Sequence, residues 1–143
     1  MQSQKTFETS AFVGIAFSND VIYNYVEDDG EFEFTGLSLI AQLKYNRNEI
    51  IADIIKSQSY DRIRAIMDDE VIFGTRGDRN NSNVAYLNEL YHMMEMEDQV
   101  FDYYYILDFN QDLLIVKTPD LIKPIALEYQ NNDDVEYFLN INN

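Results

Sequence analysis

The sequence predicts a single α+β domain over residues 1–143, built on an antiparallel sheet of about five to seven strands with three or four helices packed on one side. Two patterns carry that expectation. Short segments alternate apolar and other residues at period two, and between them lie segments with apolar residues at helical period. Composition supplies the third observation: 46% hydrophobic residues and 14% aromatics make the chain far too apolar for a disordered acidic tail. A domain of this size buries roughly 70% of the surface its unfolded chain exposes.

Phe7, Thr9, Ala11, Val13, Ile15 and Phe17 share one face of a first strand, Ser18-Asn19-Asp20 supplies a turn, and Val21 to Val26 returns as a second strand. Glu27-Asp28-Asp29-Gly30 reads as a turn with a glycine available for positive φ, and Glu31-Phe32-Glu33-Phe34 alternates as a short third strand. Thr35 is placed to cap a helix with Leu37, Leu39, Ile40 and Leu43 buried. Asn46 and Glu49 have capping-box spacing, so a second helix is expected there, with Ile50, Ile51, Ile54 and Ile55 as its stripe. Tyr60, Ile63, Ile66 and Met67 give a further short helix or a bent continuation.

Val71-Ile72-Phe73 suits a brief strand, and residues 74–83 form the longest loop, too short to link domains. Val84, Leu87, Leu90, Tyr91 and Met94 mark a helix capped by Asn83 and running to about Glu97. The central signal is Gln99 to Val116. Phe101, Tyr103, Tyr105, Leu107 and Phe109 lie on one strand face, and Val100, Asp102, Tyr104, Ile106 and Asp108 on the other. Asn110-Gln111-Asp112 turns the chain into the apolar return strand Leu113 to Val116. Two last strands are expected, one through Ile125, Leu127 and Tyr129, one through Val135, Tyr137, Leu139 and Ile141.

With no cysteine, disulfides, thiolate metal sites and thiol catalysis are excluded. The first residues, Met-Gln-Ser-Gln-Lys-Thr, lack the basic and apolar regions of a secretion signal, and no apolar run approaches the roughly 20 residues of a membrane span. A cytoplasmic protein is expected. The net charge is −16, with a net −6 in residues 1–43, zero in 44–79 and −10 in 80–143. Such a balance disfavours direct binding to nucleic acid or an anionic membrane and favours a basic partner surface.

Motifs for chemistry are sparse. Asp108-Phe109-Asn110-Gln111-Asp112 opens like a calcium loop, but Leu113 stands where glycine is needed and Pro119 where the bidentate glutamate is needed, so a turn is expected. Pro119-Asp120 followed by Glu128-Tyr129-Gln130 resembles the metal-dependent nuclease signature of Pro-Asp and Glu-x-Lys; that resemblance implies Asp120 and Glu128 as metal ligands, with Gln130 in place of the lysine that helps activate water. His92, the single histidine, has no Ser or Cys partner at a catalytic spacing. Arg76 and Arg79 lie in a loop without the Gly-x-x-x-x-Gly-Lys phosphate pattern, and Arg76-Gly77-Asp78 matches the adhesion tripeptide by letter only. No metal, cofactor or catalytic residue is therefore assigned.

Acidic residues gather in Glu27, Asp28, Asp29, Glu31 and Glu33; in Asp68, Asp69 and Glu70; in Glu95, Glu97 and Asp98; and in Asp133, Asp134 and Glu136. Solvated turns and helix ends explain each group singly, whereas an excess of 16 charges has no internal partners and must be displayed outward. In size, charge and lack of cysteine the chain resembles the acidic DNA-mimic inhibitors that phages and mobile elements direct against restriction enzymes and CRISPR nucleases, and it is similar to immunity proteins against nuclease toxins. The resemblance implies a non-enzymatic inhibitor, monomer or homodimer, that binds the basic nucleic-acid site of a nuclease or CRISPR effector. The first, third and fourth of those groups then form the expected partner surface, with Tyr104 as an exposed aromatic anchor. An enzyme using Asp120 and Glu128, and a structural phage protein whose charge secures solubility, are the competing expectations.

Overall fold

The computed structural model describes residues 9–26, 29–57, 83–95 and 101–141. The elements run β1 (Ala11–Phe17), β2 (Asp20–Val26), a π-helical turn (Phe32–Gly36), α1 (Leu37–Ser57), β3 (Asn83–Tyr86), α2 (Leu87–Met94), β4 (Tyr103–Asp108), β5 (Leu113–Lys117), β6 (Ile125–Leu127) and α3 (Asn132–Ile141). The expected β1–β2 and β4–β5 hairpins are present, and among the described residues the sheet has six strands in the order β3-β2-β1-β4-β5-β6. It is mixed where a purely antiparallel sheet was expected. β1 and β4 lie side by side in parallel, Ala11 opposite Tyr103 through Ala16 opposite Asp108. A parallel pair cannot be closed by a tight turn, so the chain between them must cross over, and it does so through β2, α1, β3 and α2.

Two side-chain clamps pin the register of this seam. At one end Ser10 N donates to an Asp102 carboxylate oxygen at 3.1 Å and Asp102 N donates to Ser10 Oγ at 3.2 Å. At the other, Ser18 N donates to Asn110 Oδ1 and Asn110 Nδ2 donates to Ser18 O, both at 2.9 Å. Each clamp joins residues 92 apart in sequence, the same offset as the strand pairs between them.

Both faces of the seam are buried, which explains why helices lie on both sides of the sheet and not on one. On one face Val13, Ile15, Tyr105, Leu107, Leu114 and Val116 pack beneath Leu39, Ile40 and Leu43 of α1 and Val135 and Phe138 of α3. On the other, Phe12, Ala16, Val21, Tyr104, Ile106 and Ile115 pack against Leu90 and Met94 of α2. Full burial of each large apolar side chain contributes about 1.5–3 kcal/mol. Among the described residues no helix is long and apolar enough to cross a membrane.

Four assignments of single elements are corrected as well. Glu31-Phe32-Glu33-Phe34 is not a strand: Phe32 turns into the core while Phe34 is half exposed, and Glu31 O accepts from both Phe34 N and Thr35 N as the π turn feeds α1. Thr35 Oγ1 donates back to Asp29 O at 2.7 Å, tying the turn to the preceding bend. One continuous α1 replaces the two helices separated at Asn46. Asn83 begins a strand rather than capping a helix, because β2 offers a free edge that pairs Val21 with Ala85, and the helix starts only at Leu87. The segment with alternating Val135, Tyr137, Leu139 and Ile141 is α3, since burial follows Val135 and Phe138 at helical spacing. Asn131 caps it: its Oδ1 accepts Asp133 N at 3.0 Å and its carbonyl accepts Val135 N. The expected elements over residues 60–67, 71–73 and most of 74–83 lie outside the described residues.

Two polar joints lock these layers. Tyr105, with no exposed surface, donates its hydroxyl to Gly30 O at 2.7 Å, and Gly30 N donates to Thr9 O at 2.8 Å. The positive φ in this bend belongs to Asp29, at 57°; Gly30 is there because a Cβ would stand 2.7 Å from Thr9 O and 2.8 Å from the Ser10 carbonyl carbon. Asp108, also buried, accepts from Asn110 N at 2.8 Å, Gln111 Nε2 at 2.9 Å and Tyr91 Oη at 3.2 Å, which accounts for the calcium-loop-like run as a self-satisfied turn. Burial first, then the charge of and hydrogen bond to Asp108, push the Tyr91 phenol up to about 12.

Tyr105→Phe leaves Gly30 O without its donor and is expected to lower the unfolding free energy in urea by about 1–2 kcal/mol; Gly30→Ala, which forces backbone apart, by about 1–3 kcal/mol. An unchanged urea midpoint for Gly30→Ala would contradict the close approach. At alkaline pH the folded Tyr91 keeps a proton that an unfolded tyrosine loses near about 10. Its contribution is therefore complete below that pH and is lost as pH rises toward 12. Absorbance titration of tyrosinate is expected to show a step at about pH 12 in wild type that moves downward in Asp108→Asn and is absent in Tyr91→Phe.

Candidate anionic interface

The expected partner surface divides three ways. Asp29, Glu31 and Glu33 lie in and before the π turn, Asp133, Asp134 and Glu136 on α3, and Glu95 closes α2. Glu27, Asp28, Glu97 and Asp98 lie outside the described residues. Tyr104 is fully buried, against Phe12 at 5.5 Å and Phe101 at 5.8 Å between ring centroids, so it cannot be an exposed anchor. β4 is covered on both faces, and the residue next to a core position is then no freer than the core position itself.

The π turn and α3 are neighbours. Phe32 packs on Phe138 with ring centroids 4.6 Å apart, which sets the two acidic segments side by side on the same sheet face. Glu95 is not brought to them, because α2 covers the opposite face. Around Tyr103, at the start of β4, the fold gathers a tighter group. The phenol is half-buried and is pushed up first by that burial, then by the charges of Glu31, Asp120, Asp102 and Glu33. Four carboxylates from three separate segments thus act on one ring. Tyr103 also stacks on Tyr105 at 6.2 Å and 10°. No lysine or arginine among the described residues forms a salt bridge with these four.

Sequence reasoning missed two members of this group. Asp102 was legible as a strand neighbour of the tyrosine run but carries a structural task as well, since its carboxylate accepts from Ser10 N. Asp120 comes from the turn after β5 and reaches Tyr103 only through tertiary folding. Two of the α3 acids also have local roles: Asp134 accepts Glu128 N at 3.0 Å, and Asp133 and Asp134 occupy the first helical turn, where the helix dipole favours negative charge.

The residues of the nuclease-like signature part company. Asp120 lies in the turn after β5 and its charge acts on Tyr103, whereas Glu128 lies just past β6 and lines a cleft of about 410 Å³ with Gln111, Asp112, Tyr129 and Gln130. In that cleft Tyr129 Oη donates to Asp112 Oδ1 at 2.5 Å and Gln130 Nε2 to Asp112 Oδ2 at 3.0 Å. Among the described residues no group of three or more His, Cys, Asp or Glu is arranged to hold a metal ion. His92 is exposed on α2. Comparison with protein families, with curated proteins and with solved structures finds no match in any of the three.

Tyr103 reports on the patch directly. Glu31→Gln and Asp120→Asn are each expected to lower its titration toward the ordinary tyrosine range, and added salt to do the same in wild type, read by tyrosinate absorbance against a Tyr103→Phe control. A Tyr103 titration indifferent to both variants would show that the carboxylates do not converge there.

Proposed function

We propose that the chain is a non-enzymatic inhibitor that presents carboxylates to the basic nucleic-acid-binding surface of another protein, a host defence nuclease being the partner class. One observation carries the reading: Phe32 on Phe138 packs the acidic π turn against the acidic α3, and the charges of Glu31, Asp120, Asp102 and Glu33 all bear on the phenol of Tyr103. Like charges brought together oppose folding, and a chain of net −16 already repels itself. A basic surface evolved to neutralise closely spaced phosphates would relieve that repulsion on docking. Complementary charge of this kind accelerates encounter toward about 10⁸ per molar per second at low salt and selects against acidic partners.

The test is affinity capture with wild type and with a Glu31→Gln, Glu33→Gln, Asp120→Asn variant, at low salt and again at about 1 M, where screening shortens to about 3 Å. Nucleic-acid-binding proteins are expected to be retained by wild type, released by salt and lost from the variant. Captured proteins that bind the variant equally well, or that remain at high salt, would overturn the reading.

A further inference from the structure

The outer face of α3 carries a feature that charge alone does not explain. Val135 and Phe138 are buried and Asp134 and Leu139 half-buried, leaving Asp133, Glu136, Tyr137, Asn140 and Ile141 as the outward side. Tyr137 and Ile141, one helical turn apart, are 66% and 58% exposed. Residues four apart on a helix sit one above the other, so the two form a short apolar ridge, continuous with the acidic side chains of the same face. The helix has three acidic residues and no basic one.

We infer that this ridge is the apolar anchor of the partner interface, seating in an apolar recess rimmed by Lys and Arg on a basic protein surface. The inference rests on the anionic-inhibitor reading and supplies the short-range contact that the buried Tyr104 cannot make. A second copy of this chain is a poor occupant, since it would press Asp133 and Glu136 against their equivalents on a molecule of the same net charge. A bare phosphate-binding surface is also a poor fit, because it offers nothing for the Tyr137 ring and the Ile141 side chain. A basic surface with an apolar recess satisfies both halves of the face. Phe32 against Phe138 packs the π turn on α3, so the segment that carries Glu31 and Glu33 lies beside the helix that carries the ridge.

Two peptides of matched charge separate the terms, one of lysine alone and one alternating lysine with leucine. Binding is measured by fluorescence anisotropy with wild type, with Tyr137→Ala plus Ile141→Ala, and with Glu31→Gln plus Glu33→Gln. Alanine keeps helix propensity high and both replaced side chains are exposed, so the first variant is expected to retain its far-ultraviolet dichroism. It should bind the lysine-leucine peptide roughly tenfold more weakly and the lysine peptide as wild type does; the charge variant should weaken both. Equal binding of the lysine-leucine peptide by wild type and the alanine variant would overturn the inference while leaving the anionic reading intact. Undiminished binding of both peptides by the charge variant would overturn that reading itself.

Discussion

The parallel seam between β1 and β4 is the constraint on which the rest of the molecule depends. It joins segments 92 residues apart and is held at both ends by serine clamps of that same offset, so a slip of one residue would break both clamps together. Slippage would also exchange the faces of β4, moving Tyr104 and Ile106 out of one core layer and Tyr105 and Leu107 out of the other. Because neither face of the seam meets water, two layers of helix are obligatory. α1 and α3 cover one side and α2 the other.

Local signals were legible and the seam was not. Ser18 between two alternating runs, and Asn110 to Asp112 between Asp108 and Leu113, specify hairpins whose partners are adjacent in the chain, and both hairpins form. Which hairpins lie together is decided by burial across 92 residues, and no local pattern records it. The misread elements share a cause. Val135, Tyr137, Leu139 and Ile141 alternate, yet Val135 to Phe138 is equally a helical spacing, and the Asn131 cap with Asp133 and Asp134 behind it was the signal that decides between them. Asn83 fails in the opposite direction: it suits a helix cap, but an available sheet edge outweighs a weak propensity. At Glu31 to Phe34 the alternation was real and half misleading, since only Phe32 is buried.

The anionic group was legible in part for the same reason. Glu31 and Glu33 stand out as an acidic run, while Asp102 and Asp120 become their neighbours only when β4 and the turn after β5 are folded together. Tyr104 shows the opposite error. A strand next to water on one face would expose alternate residues, and Tyr104 would then be a sensible anchor; with α2 in place, that face is core. Its neighbour Tyr103, placed by the alternation on the face opposite Tyr104, is the ring on which the carboxylate charges act.

Asp102 links the two levels. One carboxylate oxygen accepts Ser10 N, clamping β1 to β4, and the same charge raises the Tyr103 phenol. The register of the sheet and the position of the charge are thus set by one side chain. Glu31 belongs to a turn whose backbone is tied to Asp29 through Thr35 and to the core through Phe32, so it too is carried on ordered structure. On the proposed reading, acidic residues carried on so ordered a backbone would lose less freedom when a cationic partner docked, which lowers the entropic cost of association. On the same reading, a basic surface docking there would add counter-charges to acidic groups whose backbone is already in place.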